Sequence, residues 1–259
     1  MIELGVQPQG ERGAAGPEVH ARPAADNLIK EEPRTLVWRQ PLPDGQPAVW
    51  KLYRHCKVGL PQRCGCYRCR GQREYEALRH LERQGLPCSR AAFWACGTEA
   101  RVGAYSLVVT HEVPQACNFQ NWLDASQSNY SPLLQPLFQL VAAMHRSGLQ
   151  HGAMLERNVL HTPAGFHLID LPQARLFRRS IEGRHAGWFD LTLLVHSLTR
   201  HLDDEVLISG LAGYPRLPRP ARAFVQRVRA EPWSRRYRKF LGMWYTAQAF
   251  GHRLLGPIR

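Results

Sequence analysis

Residues 151–170 read HGAMLERNVLHTPAGFHLID, and the polar residues of this stretch indicate the fold. Asp170 stands near the end of a short apolar run, residues 166–171, which predicts a buried strand. A carboxylate in such a place costs several kcal/mol unless it meets a cation or a metal ion. We therefore expect Asp170 to bind a metal ion. The structural alternative is a salt bridge to Arg175 or to another nearby arginine.

The segments around this stretch predict strands first and helices later. Two β-rich runs, residues 35–39 and 48–53, are joined by a turn that contains Pro-Asp-Gly. Periodicity then predicts a helix within residues 73–87, strands at 91–95 and 104–110, a helix that ends before Gly148, and a helix at 190–202. This order predicts an α+β, bilobal fold: a polar disordered tail at 1–33, a β-rich N-lobe at 34–111, and a hinge with a helical C-lobe at 112–259.

Three quoted segments carry a family resemblance. MHRSGLQHGAMLERNVLHTPAGFHLIDLPQAR, residues 144–175, combines Met-His-x-x-Gly, a loop with His and Asn, and an Ile-Asp-Leu strand. Together with REYEALRHLERQGLP at 73–87 and YSLVVTHEV at 105–113, it resembles the lipopolysaccharide core kinase family, meaning the Kdo/heptose kinases and their InaA-type relatives. The resemblance implies a protein-kinase-like fold and ATP- and Mg²⁺-dependent phosphoryl transfer to a sugar hydroxyl, of heptose or a related sugar, in the lipopolysaccharide core.

The resemblance also implies residues that bind the nucleotide. Lys51 on a strand and Glu74 on the following helix would form the ion pair that holds the α- and β-phosphates. Glu74 fits this role better than Glu76 does. Leu78 and Leu81 would then fall on the same side of the helix as Glu74 and pack the lobe. The alternative is that Lys51 is one more surface lysine.

The loop that follows supplies the other implied site residues. Asn158 and Asp170 would be the two Mg²⁺ ligands, although an Asn at this place can also cap a turn. His151 is grouped with the catalytic residues, as a packing and hydrogen-bonding residue rather than a base. Asp190 looks like the N-cap of a helix, and the resemblance adds that it braces the backbone of the catalytic loop.

Two departures from the kinase pattern put catalysis in question. Ala153 stands where kinases carry the catalytic Asp, and general-base help of that kind is worth roughly 10² to 10⁴-fold. Glu156 is a candidate substitute on the same loop, but it would need a different loop path. The connection PLPDGQPA also contains a single glycine in place of a glycine-rich phosphate loop. The alternative function is a pseudokinase that binds nucleotide or regulates a partner in cell-envelope biology.

A cysteine cluster is not explained by the resemblance. Cys56, Cys64, Cys66 and Cys69 could bind a structural Zn²⁺ through four thiolates. The Cys-x-Cys spacing is atypical of a zinc site, so the pattern favours ordinary reduced cysteines in a variable insertion.

The charge balance points to an anionic partner. The chain has 34 Lys plus Arg against 21 Asp plus Glu, a formal net charge of +13. We expect this partner to be the lipopolysaccharide core or another anionic envelope glycan, with possible peripheral contact with the inner membrane, and we expect no nucleic acid. No secretory signal is recognisable at the start of the chain, which favours the cytoplasm. A phosphotransferase of the aminoglycoside or choline kinase type is a weaker alternative, because those enzymes also need the catalytic Asp.

Overall fold

The chain folds into two units, one built around an antiparallel sheet and the other mainly of helices. The first unit comprises Met1–Arg79 and Ser89–Val113, and the second comprises His80–Cys88 and Pro114–Arg259. The computed structural model describes residues 23–54, 69–99, 103–125 and 131–231 of the chain.

Five strands form the sheet of the first unit, in the order β1-β2-β3-β5-β4, and all neighbouring strands are antiparallel. The strands are β1 (Leu28–Glu32), β2 (Thr35–Arg39), β3 (Ala48–Tyr53), β4 (Ala91–Glu99) and β5 (Gly103–His111). The helix α1 (Arg70–Arg83) follows β3 in the chain and precedes β4.

The hairpin of β2 and β3 forms as the sequence predicts, with the same strand bounds. Trp38 is directly opposite Trp50, and their rings stack with centroids 5.9 Å apart. Both tryptophans are buried in a core that includes Leu36 and Leu52. Successive side chains of a strand point to opposite faces of the sheet. Lys51 follows Trp50, so its side chain lies on the face opposite this core.

The strand β1 is a feature that the sequence analysis did not predict. Its residues fall in the stretch expected to be a disordered tail, residues 1–33, but they pair with β2, and Glu32 lies opposite Thr35. Side chains of β1 are mostly exposed, and Ile29 is 46% exposed. A strand held by backbone hydrogen bonds at the edge of a sheet needs no apolar alternation, and so it gives no periodic signal.

The second unit holds five α-helices, two 3₁₀ turns and five short strands among its described residues. The helices are α2 (Phe119–Ala125), α3 (Ser131–Arg146), α4 (His185–Leu198), α5 (Asp204–Gly210) and α6 (Ala221–Ala230). The strands are β6 (Cys117–Asn118), β7 (Leu149–Gln150), β8 (Val159–Thr162), β9 (Gly165–Leu168) and β10 (Arg175–Leu176). The pairs β6–β8, β8–β9 and β7–β10 are antiparallel.

The helix α3 forms the centre of the second unit. Leu137 and Met144 are fully buried on its apolar face. The helix ends ahead of Gly148, whose φ of +84° is the left-handed conformation that favours glycine. A Cβ at Gly148 would lie 2.5 Å from the carbonyl oxygen of Phe177, so the close approach of this segment also needs glycine.

Two predicted boundaries around the site are wrong. The helix expected to begin at Asp190 begins at His185, so Asp190 lies inside α4 and not at its N-cap. The strand expected over residues 166–171 ends at Leu168, which leaves Asp170 just beyond β9. Both errors arise because apolar periodicity marks the buried face of an element better than its ends.

Candidate functional site

Lys51, Glu74 and Tyr53 form a buried polar cluster in the first unit. The Nζ of Lys51 on β3 lies 3.2 Å from Oε1 of Glu74 on α1, and their side chains are 15% and 4% exposed. The Tyr53 hydroxyl donates a hydrogen bond of 2.6 Å to the other oxygen, Oε2. The Lys51 ammonium also lies 5.3 Å from the centroid of the Tyr53 ring. The ion pair expected from the sequence is therefore present.

The alternation of β3 explains why these groups meet. Lys51 and Tyr53 are two residues apart, so they share the face of the strand opposite Trp50. Leu78 and Leu81 on α1 are 1% and 0% exposed, as predicted for residues on the Glu74 side of the helix. A carboxylate with so little exposure would be costly without charge and hydrogen-bond partners, and Lys51 and Tyr53 supply both. The contacts with Glu74 and Tyr53 therefore hold the Lys51 ammonium in a defined position.

In the second unit, His151 is a structural residue of the loop that follows β7. Its side chain is fully buried, and Nε2 lies 3.0 Å from the carbonyl oxygen of Ile169. A carbonyl oxygen can only accept, so Nε2 donates this hydrogen bond. Nδ1 is buried with no hydrogen-bond partner among the described residues. This geometry makes His151 a buried residue that holds the loop by packing and hydrogen bonding.

Asp190 braces the same loop from the interior of α4. It is fully buried, and its Oδ2 accepts the backbone N–H of His151 at 2.6 Å while Oδ1 accepts that of Gly152 at 2.9 Å. Gly152 has a φ of +80°, and a Cβ there would lie 2.6 Å from the carbonyl oxygen of Gln173. The brace that the resemblance implied for Asp190 is therefore present, whereas the N-cap interpretation was wrong.

The sequence analysis missed two buried side chains, His145 and Tyr214, that are connected to Asp190 by hydrogen bonds. The Nε2 of His145 lies 3.4 Å from Oδ2 of Asp190, and its Nδ1 lies 2.9 Å from the Tyr214 hydroxyl. Burial raises the pKa of Tyr214 above its ordinary value, so the phenol stays protonated and can donate. His145 belongs to the quoted Met-His-x-x-Gly segment, but no local pattern around Tyr214 marks it.

Asn158 ends a single 3₁₀ turn, Glu156–Asn158, and its amide holds the loop together. Its Nδ2 donates a hydrogen bond of 2.7 Å to the carbonyl oxygen of Ala153. The side-chain nitrogen therefore caps the turn, which agrees with the alternative stated above for Asn158. The Oδ1 oxygen is the acceptor that remains for a ligand. The carbonyl of Asn158 also accepts the Ile169 N–H at 3.2 Å, which ties this turn to the segment that leads to Asp170.

Asp170 has an unusual backbone conformation. Its φ is +61°, a region that residues other than glycine rarely occupy. The side chain is half-buried, and it follows β9 by two residues. Strained backbone at a carboxylate is typical of residues held in place for binding, because surrounding structure must maintain it.

Ala153 and Glu156 do not supply a catalytic base in this conformation. Ala153 is half-buried and offers only a methyl group. Glu156 is 5% exposed, its Oε2 is buried without a hydrogen-bond partner among the described residues, and its backbone N–H donates to Ser197 Oγ on α4. A base must come within hydrogen-bond reach of the acceptor hydroxyl. An enclosed carboxylate oxygen argues against the Glu156 substitution.

The proposed zinc site lies largely outside the described residues. Of its four cysteines, the structure describes Cys69 alone, while Cys56, Cys64 and Cys66 fall in the stretch that it leaves out. Within residues 23–54, 69–99, 103–125 and 131–231, no group of three or more His, Cys, Asp or Glu could hold a metal ion. In the same ranges, no helix has the length and apolar character to cross a membrane.

Comparisons with known proteins agree with this architecture. The structure of WaaP in complex with acyl carrier protein matches with a TM-score of 0.56 and 18% identity, over 87% of this chain and 88% of that one. The amicoumacin kinase hAmiN in complex with AMP-PNP, Ca²⁺ and Ami matches with a TM-score of 0.53 and 11% identity, over 86% and 88%. At these identities the matches show a kinase-like fold. No protein of curated function matches the chain.

The family assignment rests on a separate match. The model of the lipopolysaccharide kinase (Kdo/WaaP) family matches residues 63–204, which is more than half of the 259-residue chain. The matched region contains Glu74, the braced loop at His151, Asn158, Asp170 and Asp190. This chain belongs to the lipopolysaccharide kinase (Kdo/WaaP) family.

Proposed function

We propose that this protein is an ATP- and Mg²⁺-dependent kinase that phosphorylates a hydroxyl of heptose or a related sugar in the lipopolysaccharide core. The observation that carries the proposal is the buried Lys51–Glu74 ion pair. Ion pairs of this kind contribute little net stability, because desolvation offsets the attraction between the charges. The presence of the Lys51–Glu74 pair therefore fits a functional role better than a structural one.

In the first unit, Lys51 would hold the phosphates of the nucleotide. Glu74 and Tyr53 keep its ammonium on one face of β3, so binding would need little further ordering of the side chain. The connection between β2 and β3 has one glycine, Gly45, so backbone N–H groups of a glycine-rich loop would not add to the grip.

In the second unit, Asn158 and Asp170 fit a Mg²⁺ site. They offer an amide oxygen and a carboxylate, and oxygen ligands are those that Mg²⁺ prefers. Because Nδ2 of Asn158 donates to the carbonyl oxygen of Ala153, Oδ1 is the atom of this side chain that could bind the metal ion. When bound, the metal would neutralise charge on the phosphates. The hydrogen bonds of Asp190 and His151 would keep the loop in place.

Without a carboxylate at residue 153, the acceptor hydroxyl would be positioned but not deprotonated by the loop. Phosphoryl transfer passes through a loose transition state, in which positioning and charge neutralisation matter most. The missing base would slow the enzyme by roughly 10² to 10⁴-fold and would not abolish transfer.

A pseudokinase is the second candidate function, and the observations that favour it are Ala153 and the enclosed Glu156. In that case the protein would bind Mg²⁺-ATP and act as a regulatory partner in cell-envelope biology. The formal charge of +13 favours an anionic glycan and peripheral contact with the inner membrane from the cytoplasm for either candidate. Because the related WaaP structure contains acyl carrier protein, that protein is a further partner to test.

The test is phosphate transfer to dephosphorylated lipopolysaccharide in the presence of ATP and Mg²⁺, followed by mass spectrometry. We expect a mass gain with the wild type, none with Asp170→Ala, and an unchanged gain with the control Asp203→Asn, an exposed carboxylate at the N-cap of α5. A Mg²⁺-ATP thermal shift without transfer would support the pseudokinase. Absence of both transfer and thermal shift would contradict both candidates.

A further inference from the structure

Two cysteines and a serine lie together in the first unit, where Ser106 pairs across the sheet with Tyr53. Cys69 immediately precedes α1, and its carbonyl oxygen accepts the Arg73 N–H at 3.0 Å. Cys96 on β4 and Ser106 on β5 are direct cross-strand partners. Such partners lie on the same face of the sheet, with Cβ atoms about 4.5–5.5 Å apart. The register therefore places the Cys96 thiol beside the Ser106 hydroxyl.

Hydrogen bonds connect all three side chains. The Ser106 hydroxyl donates to Cys69 Sγ at 3.1 Å, and Ser106 Oγ in turn accepts the Gly71 N–H at 2.7 Å. The Cys96 thiol is also hydrogen-bonded to Cys69. A Cβ at Gly71 would lie 2.6 Å from Ser106 Oγ and 2.5 Å from the Leu107 carbonyl oxygen. Glycine is therefore what lets the first turn of α1 approach β5 and bring Cys69 to Cys96.

The electrostatic surroundings of Cys69 favour its thiolate. The hydrogen bond from Cys96 is the main cause that lowers the pKa of Cys69, to about 6, with smaller help from Ser106 and the Gln72 backbone and against the effect of burial. A lowered pKa increases the share of thiolate, and the thiolate is the reactive species. By contrast, burial raises the pKa of Cys88 to about 12. Cys69 and Cys96 are both reduced and partly accessible.

We propose that Cys69 and Cys96 are a peroxide-reactive dithiol, with Cys69 as the nucleophile and Cys96 as the resolving thiol. The Cys69 thiolate attacks one oxygen of a hydroperoxide, the O–O bond breaks, and the leaving oxygen departs as hydroxide or alkoxide. The sulfur is oxidised by two electrons to a sulfenic acid. The Cys96 sulfur then attacks the Cys69 sulfur, the S–O bond breaks, and water leaves with the Cys96 proton. Hydrogen peroxide and two thiols thus become one disulfide and two waters.

The test uses the full chain, reduced beforehand and treated with hydrogen peroxide at a range of concentrations. Remaining thiols are alkylated, and the cross-linked peptides are identified by mass spectrometry. We expect a peptide pair joined through Cys69 and Cys96, with the loss of two hydrogen atoms.

Variants separate the two proposed roles. In Cys96→Ser, Cys69 should stop at the sulfenic acid, which a cyclic 1,3-diketone probe traps, while Ser106→Ala should slow the reaction because a hydrogen bond to the thiolate is lost. Cys88→Ser is the matched control and should react like the wild type. The proposal is overturned if Cys69 pairs with another cysteine, or if it stays unmodified while Cys88 reacts. Both of these outcomes are measured on the wild type, and so the proposal does not depend on how well the variants fold.

Discussion

Asp190 holds the loop at His151 through two backbone hydrogen bonds, so the loop conformation depends on one buried carboxylate. Both oxygens are used, and His145 lies 3.4 Å from one of them. A carboxylate suits this place because it accepts at every lone pair, whereas an amide also carries donors.

We expect Asp190→Asn to lower the free energy of unfolding by about 1–3 kcal/mol. One of the two N–H groups would then face an amide nitrogen in place of an acceptor. Urea unfolding measures the effect, with the exposed Asp203→Asn as the control for the same chemical change. Equal stability of the two variants would show that the brace contributes nothing.

Gly152 offers a second test at the residue scale. Gly152 and Gly45 have nearly the same φ, +80° and +83°, but a Cβ would lie 2.6 Å from the Gln173 carbonyl oxygen at Gly152 and would meet nothing within 4 Å at Gly45. We expect Gly45→Ala to cost about 1–2 kcal/mol of stability for the backbone conformation alone. Gly152→Ala should cost clearly more in the same urea unfolding experiment. Equal costs would mean that the loop can move away from Gln173.

Ala153 is the residue that decides between a slow kinase and a pseudokinase. We expect Ala153→Asp to raise the rate of phosphate transfer to lipopolysaccharide by about 10² to 10⁴-fold, because it restores a general base. Ala153→Asn, which has nearly the same shape and no basic oxygen of comparable strength, is the matched control. If both variants transfer phosphate at the wild-type rate, the missing Asp is not what limits this protein.

Some site residues could be predicted from the sequence, and others could not. Asn158 and Asp170 were selected through the resemblance of their stretch to kinases, and their roles as Mg²⁺ ligands stay predictions. The bracing role of Asp190 agrees with the resemblance, but its predicted place at an N-cap was wrong because α4 begins five residues earlier than expected. Tyr214 reaches His145 only through the packing of the second unit, and no local pattern encodes such a contact.

At the scale of elements, β3 and α1 are coupled through Lys51, Tyr53 and Glu74. Lys51→Met would remove a charge partner from the buried Glu74 carboxylate, although Tyr53 would still donate to it. We expect a loss of about 3 kcal/mol in the free energy of unfolding. Lys51→Met with Glu74→Gln should be more stable than Lys51→Met alone, because Gln keeps an acceptor for Tyr53 and carries no charge. Strict additivity in this double-mutant cycle would contradict the coupling.

The predictability of the elements follows from what holds each one. The strands β2 and β3 alternate core and surface residues around a glycine turn, so their bounds could be predicted from the sequence. The edge strand β1 is held by backbone pairing with β2 and has mostly exposed side chains, so it gives no such signal. The left-handed backbone at Asp170, two residues beyond the end of β9, is likewise a feature that the sequence does not reveal.

At the scale of the whole molecule, each of the two units holds some of the residues that we propose bind the nucleotide or the metal ion. The first unit holds a lysine whose position is fixed by a buried carboxylate, and the second holds an amide oxygen and a carboxylate on a braced loop. The family match shows that the chain is a lipopolysaccharide kinase family member. Nucleotide binding is the property that both candidate functions share, and it is therefore the central claim.

Calorimetric titration of the full chain with ATP, with and without Mg²⁺, tests this claim most directly. We predict one-to-one binding that is weakened by Lys51→Met, requires Mg²⁺, and is lost in Asp170→Ala. The control Asp203→Asn should bind ATP like the wild type. If the wild-type protein is folded and shows no Mg²⁺-dependent binding of ATP, the account of Lys51, Asn158 and Asp170 as a nucleotide-binding set is contradicted.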